Sequence, residues 1–177
     1  MNKKEKDLLL KYDKNFIKII DFYVFNCPVQ DKDKCKVSQM SNTFEDRGIV
    51  GQKLSSLLKD IVKRINTVFL SKIYEYDTNN KTKYDMENTN KQLNKLVKNC
   101  NHTEYMYLYE NSSYGKLKSI FYYLRCSIAH GDFIIDNNYI IGQTKKKDTI
   151  NCKYKISIKT LITLIDIVEN FNVKSKK

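Results

Sequence analysis

The sequence predicts an all-α protein, a four- or five-helix bundle with a small β-hairpin or meander inserted before the C-terminal helix. Two observations indicate this class. Apolar residues recur at helical spacing over most of the chain, and the spacing changes to a period of two only after residue 132. The length of 177 residues, with 41% hydrophobic and 12% aromatic residues, suits one buried core, so we expect a single domain over residues 1–177.

The N-terminal stretch predicts the first helix, over residues 5–25. The pattern breaks over about 26–48, which holds the only proline, Pro28, and a run of alternating charges, so we interpret this segment as an irregular insertion. The apolar positions of the first helix recur every three or four residues and are Leu8, Leu9, Tyr12, Phe16, Ile19, Ile20 and Tyr23.

Two further helices are predicted in the middle of the chain. The longest apolar stripe runs without a break from Leu54 to Tyr76 and indicates a long second helix. Residues 77–90 are polar and predict a loop. A short third helix is indicated by apolar residues at helical spacing, namely Leu93, Leu96, Val97 and Cys100.

The fourth helix is predicted from Tyr114 to His130, and Gly131 stands where a left-handed residue would end it. Three short strands are predicted next, within a β-hairpin region of about 132–157. Asn137 and Asn138 would form a type I′ turn between the first two strands, because Asn tolerates a positive φ.

The chain is predicted to close with a fifth helix. Ser157 is a candidate N-cap, since its hydroxyl can accept a hydrogen bond from the first turn. Apolar residues from Ile158 to Phe171 share one side of this helix. A Lys-rich tail follows over residues 172–177.

The charge balance predicts a polyanionic partner. Lys and Arg number 32 against 20 Asp and Glu, which gives a net charge of +12 and a pI near 9.3. Such a charge favours nucleic acid, because phosphate neutralisation releases counterions. The alternative is a composition biased towards Lys, whose side chains would then cover solvated faces.

Cysteine usage and hydropathy indicate a soluble cytoplasmic protein. The five cysteines are widely spread and form no CxxC pair, so we expect reduced thiols and neither a disulfide framework nor a zinc site. No apolar run approaches the ~18–20 residues needed to cross a bilayer, and the charged N-terminus is unlike a signal peptide. No cofactor motif is present.

The candidate chemistry lies at the end of the fourth helix. The helix dipole would favour an imidazolium at His130, and Arg125 presents a planar cation suited to phosphate. Only three arginines occur, so an Arg beside a helix-terminal His is mildly informative, although an Arg and a His at this spacing are most often an ordinary surface cation and a capping His. Five residues correspond to about 140° around a helix, so a partner chain could complete the site. His102 lies in a polar break and is interpreted as a solvated loop residue.

The segment Leu124-Arg125-Cys126-Ser127-Ile128-Ala129-His130-Gly131 resembles the R-x4–6-H motif of HEPN domains in its common form LRxxIAHG. The hairpin region and closing helix that follow resemble one HEPN subgroup, and the likeness is specific over residues 115–172. Cys126 departs from the polar residue that is usual at its position. Gly131-Asp132 also differs from the toxin subgroup in which a Tyr follows the His.

The resemblance implies an all-α homodimer whose two motif helices face each other in a shared groove. It further implies RNA cleavage without metal, in which the 2′-hydroxyl attacks the adjacent phosphate. His130 would transfer protons and Arg125 would orient the phosphate, with Cys126 and Ser127 as supporting candidates. A role in toxin or anti-phage defence, with an antitoxin or defence-system partner, belongs to the same implication. The alternative is a non-catalytic HEPN module that binds RNA or a protein.

Two other features have a functional and a structural interpretation. A group of tyrosines could stack on bases, but core packing is the more frequent role; its members are Tyr105, Tyr107, Tyr109, Tyr114, Tyr122 and Tyr123. Lys145, Lys146 and Lys147 could contact phosphate, whereas a solvated loop is the default for such a run.

Overall fold

The computed structural model of the chain describes residues 14–29, 43–45, 47–72, 74–76, 82–111, 114–146 and 148–170. Its helices are α1 (residues 14–26, π-helical over Asp21–Asn26), α2 (Gly51–Arg64), α3 (Met86–Lys98), α4 (Gly115–His130) and α5 (Ile158–Asn170). Its strands are β1 (Asn66–Leu70), β2 (Tyr74–Tyr76), β3 (Thr82–Tyr84), β4 (Tyr105–Tyr109), β5 (Phe133–Asp136), β6 (Tyr139–Lys146) and β7 (Thr149–Ser157).

A mixed five-stranded sheet in the order β1-β4-β7-β6-β5 lies at the centre of the fold. β1 and β4 are parallel, the other neighbours are antiparallel, and β2 and β3 form a separate two-stranded ribbon. The prediction of an all-α bundle is therefore wrong. The three strands before α5, β5 to β7, belong to a larger sheet that also contains the earlier strands β1 and β4.

The long second helix was the main error. α2 ends at Arg64, Ile65 is extended with φ −112° and ψ 125°, and the stripe then falls in β1 and, at its end, in β2 of the separate ribbon. A short apolar run such as that of β1, a mostly half-buried edge strand, carries no period that separates a strand from a helix. The β-branched residues Thr67 and Val68 favour the strand.

β4 was missed for the same reason. All five of its residues are buried, so it shows no alternation of polar and apolar positions. The predicted loop over 77–90 was also too long, because β3 and the first turn of α3 fall within it. Asp85 caps α3 by accepting a hydrogen bond from the Asn88 backbone N–H at 3.0 Å.

The local features near the C-terminal end agree better with the sequence. The three predicted strands are present as β5, β6 and β7, and the Ser157 hydroxyl caps α5 by accepting from the Thr160 backbone N–H at 3.1 Å. The type I′ turn is wrong, because among the described non-glycine residues only Asn137 has a positive φ, of 52°.

Helices cover the sheet unequally. α1, α2, α4 and α5 share one core with the apolar side chains of one sheet face, among them Met106, Tyr154 and Ile156. On the opposite face α3 buries Leu93 against the tyrosines of β4. The first half of the predicted first helix, most of the insertion over 26–48 and the tail over 172–177 lie outside the described residues. No helix in the described ranges is both long and apolar enough to span a bilayer.

Candidate functional site

The last turns of α4 divide the motif between core and surface. Ser127 and Ile128 are buried, whereas Arg125 and Cys126 are half-buried and Ala129 and His130 are exposed. At about 100° per residue, the four outward residues span roughly 140° of the helix. Arg125 and His130 therefore flank one surface strip, with the small side chain of Ala129 and the thiol of Cys126 between them.

The helix ends directly behind His130 in a Schellman arrangement. Gly131 is left-handed, with φ 70° and ψ 21°. The backbone N–H of Asp132 donates to the Ser127 carbonyl at 2.9 Å, and that of Gly131 donates to the Ile128 carbonyl at 3.3 Å. These bonds fix the backbone that carries His130, whose side chain makes no hydrogen bond within the described residues.

Ser127 joins the end of α4 to the sheet. Its hydroxyl donates to the Asp132 carbonyl at 2.8 Å and accepts from the Tyr154 hydroxyl at 3.0 Å. Burial raises the pKa of Tyr154 well above its usual range, so this hydroxyl stays a donor. Ser127 was a supporting candidate for the chemistry; the structure places its hydroxyl inside the fold and away from the strip.

Gly142 allows this junction to form. A Cβ there would lie 2.5 Å from Cζ and from the hydroxyl oxygen of Tyr154, and 2.7 Å from Ser127 Oγ. Only a residue without a side chain fits below these two groups. Neither Gly142 nor Tyr154 was predicted, although a glycine inside a strand is a recognised sign of close approach.

The Arg125 side of the strip lies near the end of α1. The Cys27 thiol is buried and contacts the Phe121 carbonyl at 3.8 Å. Burial raises the pKa of Cys27 to about 12, and the charges of Arg125 and Arg47 lower it by less. The structure thus places a second arginine, Arg47, close enough to Cys27 for its charge to act on the thiol, which the sequence did not indicate.

The neutral Cys27 thiol is not a counter-ion for Arg125. A neutral thiol does not compensate a guanidinium, and Arg125 has no ion pair within the described residues. Its charge therefore remains available to an external anion. The Nε of Arg47 is buried and has no hydrogen-bond partner among the described residues, so no hydrogen bond at this atom holds the side chain in place.

Thiol labelling tests the buried, neutral state of Cys27. At pH 8 we expect a chromogenic disulfide reagent to modify the half-buried Cys100 in the folded protein, whereas Cys27 and Cys152 react only after denaturation. The thiolate is the nucleophile, and a pKa raised to about 12 leaves roughly one Cys27 in ten thousand ionised at that pH. The Cys35→Ser variant removes the cysteine outside the described residues. Rapid labelling of folded Cys27, located by peptide mapping, would contradict this account.

An aromatic cluster supports α4 beneath the motif. The Phe121 ring lies 5.3 Å from that of Phe44 in an edge arrangement and 6.3 Å from those of Phe22 and Tyr23. Such contacts add to the burial of large apolar surfaces. The α1 and α4 helices are consequently fixed to each other below the Arg125 side of the strip.

The tyrosine group packs inside the fold. Tyr105, Tyr107 and Tyr109 are buried, and the Tyr109 hydroxyl donates to the Thr89 carbonyl at 2.8 Å. The Tyr123 hydroxyl donates to the Tyr109 carbonyl at 2.9 Å. The packing interpretation of these side chains is therefore favoured over base stacking.

His102 lies apart from the motif. It is exposed between α3 and β4, at an open cleft that Arg64 and Glu104 also line. One carboxylate oxygen of Glu104 accepts from the Thr160 hydroxyl at 3.0 Å, and the other is buried without a partner among the described residues. The cleft lies beside β1 and β4, whereas α4 leads into β5 at the opposite edge of the sheet.

Within the described ranges, no three His, Cys, Asp or Glu side chains come together as metal ligands would. Comparison of the chain with family models, with curated proteins and with solved structures gives no match in any of the three.

Proposed function

We propose that the protein is a metal-independent endoribonuclease whose catalytic residues are Arg125 and His130. One observation carries the proposal: the fold turns the apolar half of the motif inward and presents Arg125 and His130 together on one surface strip. The strongly positive net charge of +12 supports an RNA substrate.

The chemistry is an intramolecular displacement at phosphorus. His130 accepts the proton of a ribose 2′-hydroxyl as its oxygen attacks the adjacent phosphate. The bond from phosphorus to the 5′-oxygen breaks, and that oxygen takes a proton from an imidazolium or from water. The products are a 2′,3′-cyclic phosphate and a 5′-hydroxyl. Arg125 neutralises the charge that develops on the phosphate oxygens.

A homodimer with facing α4 strips would complete this arrangement. Arg125 and His130 lie five residues apart along α4, so two antiparallel copies would set each His130 level with the other copy's Arg125. The exposed Ala129 between them is small enough to allow close approach. One imidazole could then act as base while the second acts as acid.

The biological role and the cellular compartment that we propose rest on the family resemblance alone. We propose a cytoplasmic enzyme that acts in toxin or anti-phage defence, with its activity restrained by a further component. A non-catalytic HEPN module that binds RNA or protein is the alternative, and Cys126 in place of a polar residue favours it.

Product analysis tests the reaction directly. Purified protein is incubated with end-labelled mRNA and tRNA in excess EDTA. We expect cleavage to continue and to leave a 2′,3′-cyclic phosphate, which resists polynucleotide ligation until it is opened by acid. Cleavage that stops in EDTA, or products with a 3′-hydroxyl, would reject the mechanism. A folded dimer that binds RNA without cutting it would support the non-catalytic module.

A further inference from the structure

Among the described residues, none covers one part of the sheet on the side that α3 occupies. α3 packs against β4 and β7, and the sheet continues beyond it through β6 to β5, where Ile134 is 64% exposed. The pairs Lys155↔Ile141 and Ile141↔Ile134 place these side chains on the same face. We call this surface the open face; its residues are Ile134, Asp136, Tyr139, Ile141, Gln143, Lys145, Lys153 and Lys155, with the one carboxylate, Asp136, at the Tyr139 end.

Three lysines of the open face lack counter-ions. Lys145, Lys153 and Lys155 form no ion pair with a described residue, unlike Lys18, which pairs with Asp166 at 2.6 Å. Burial lowers the pKa of Lys153, and the charge of Lys145 lowers it further. Two ammonium groups held close together without a carboxylate favour an external anion.

Lys153 is nevertheless held in a defined position. Its ammonium donates to Asn94 Oδ1 on α3 at 2.6 Å. Asn90, one turn earlier on α3, donates to the Asp148 carbonyl at 2.9 Å and accepts from the Ile150 backbone N–H at 2.8 Å. The lysines therefore project from a rigid sheet beside a docked helix.

An aromatic ring lies beside this charge. Lys155 Nζ lies over the ring of Tyr139 in a cation–π contact, 4.8 Å from its centroid, and this ring is only half-buried. An RNA strand can replace this contact, with a base stacking on the ring and a phosphate pairing with the released Lys155 ammonium. Ile134 and Ile141 extend the surface with apolar side chains on which further bases can pack.

We propose that the open face binds single-stranded RNA, with Tyr139 stacking on a base and Lys145, Lys153 and Lys155 contacting consecutive phosphates. Cationic grooves with stacking side chains bind single strands in this way. A duplex fits less well, because its bases are stacked on each other and unavailable to Tyr139. The proposal rests on the proposed function only in taking RNA as the polyanion, and it deepens that function by locating a substrate-binding surface outside the α4 strip.

Binding is measured in the His130→Ala background, so that cleavage does not interfere. Fluorescence anisotropy with a labelled single-stranded RNA compares this protein with the same protein carrying Lys145→Gln, Lys153→Gln and Lys155→Gln. We expect at least tenfold weaker binding. The slope of log K against log salt should fall by about 2, since each phosphate contact on a single strand contributes about 0.7.

The matched control removes three exposed lysines elsewhere, Lys53, Lys59 and Lys159, and changes the net charge equally. We expect this variant to bind nearly as the parent does. Equal losses in the two triple variants would mean that net charge alone drives binding and would overturn the proposal.

The aromatic contribution has its own test. Tyr139→Phe should retain binding and Tyr139→Ala should weaken it roughly tenfold, because stacking needs the ring and not the hydroxyl. Equal binding of duplex RNA would refute the single-strand assignment. None of these binding measurements depends on cleavage. If the open-face lysines are needed for binding, the open-face proposal holds even where the nuclease proposal fails. If RNA is cleaved and these lysines contribute nothing to binding, only the open-face proposal is refuted.

Discussion

Replacing His130 with alanine is expected to lower kcat for RNA cleavage by at least about 10²-fold, the usual contribution of one positioned acid–base group. Where both proton transfers use a His130, the loss should approach about 10⁴-fold. The measurement is the initial rate of product formation at saturating RNA in EDTA, for the wild type and for His130→Ala. RNA affinity should change little, because the charge of Arg125 is untouched.

The structure makes this a clean substitution. The His130 side chain is exposed and makes no hydrogen bond with a described residue. The free energy of unfolding of His130→Ala should therefore stay within about 0.5 kcal/mol of the wild-type value. His102→Ala is the matched control, as it removes the other histidine at an exposed position of a separate cleft. Full activity in His130→Ala, or a comparable loss in His102→Ala, would remove His130 from the mechanism.

Gly142→Ala is expected to reduce the free energy of unfolding by at least about 1–3 kcal/mol, the typical cost of overpacking a buried site. The new methyl group would meet Tyr154 and Ser127 at separations of 2.5 and 2.7 Å, well inside van der Waals contact. The Tyr154 ring is fully buried and cannot withdraw into solvent. Urea denaturation followed by circular dichroism gives the change in midpoint at constant slope.

The same variant should also lose cleavage activity. A displaced Tyr154 weakens the Ser127 hydrogen bonds that anchor the end of α4, and the His130 backbone moves with it. Gln143→Ala is the control for stability alone, since its side chain projects from the opposite face of β6 and its truncation should leave the urea midpoint nearly unchanged. An unchanged urea midpoint for Gly142→Ala would show that the sheet can relax around the methyl group.

The sequence allowed local features to be predicted where a single element determines them. The left-handed Gly131 and the Ser157 cap depend only on neighbouring residues, and both are confirmed. β1 and β4 form by parallel pairing of two segments that are distant in sequence and joined through α3. No local sequence pattern predicts that pairing. A short apolar run looks the same in the sequence of a strand and of a helix, so the stripe that begins at Leu54 predicts one continuous helix.

The candidate site shows the same limit. Arg125 and His130 were singled out by residue type and by the family resemblance, and the structure places both at the surface. Arg47 is far from them in sequence, and only the fold brings it near Cys27. The roles of Gly142 and Tyr154 depend on strand register, which the sequence did not reveal beyond the presence of a strand.

The two-residue link between α4 and β5 has a consequence for how the proposed site responds to heat. Gly131 and Asp132 are bonded to the last turn of the helix, and Gln143 on β6 donates its backbone N–H to the Asp132 carbonyl at 3.1 Å. The segment that carries His130 therefore cannot open by itself, as a surface loop would, without breaking bonds to the sheet. This segment becomes ordered when the whole sheet folds, so substrate binding does not have to meet the entropy cost of ordering it. Such a site should keep its shape until the molecule melts as a unit.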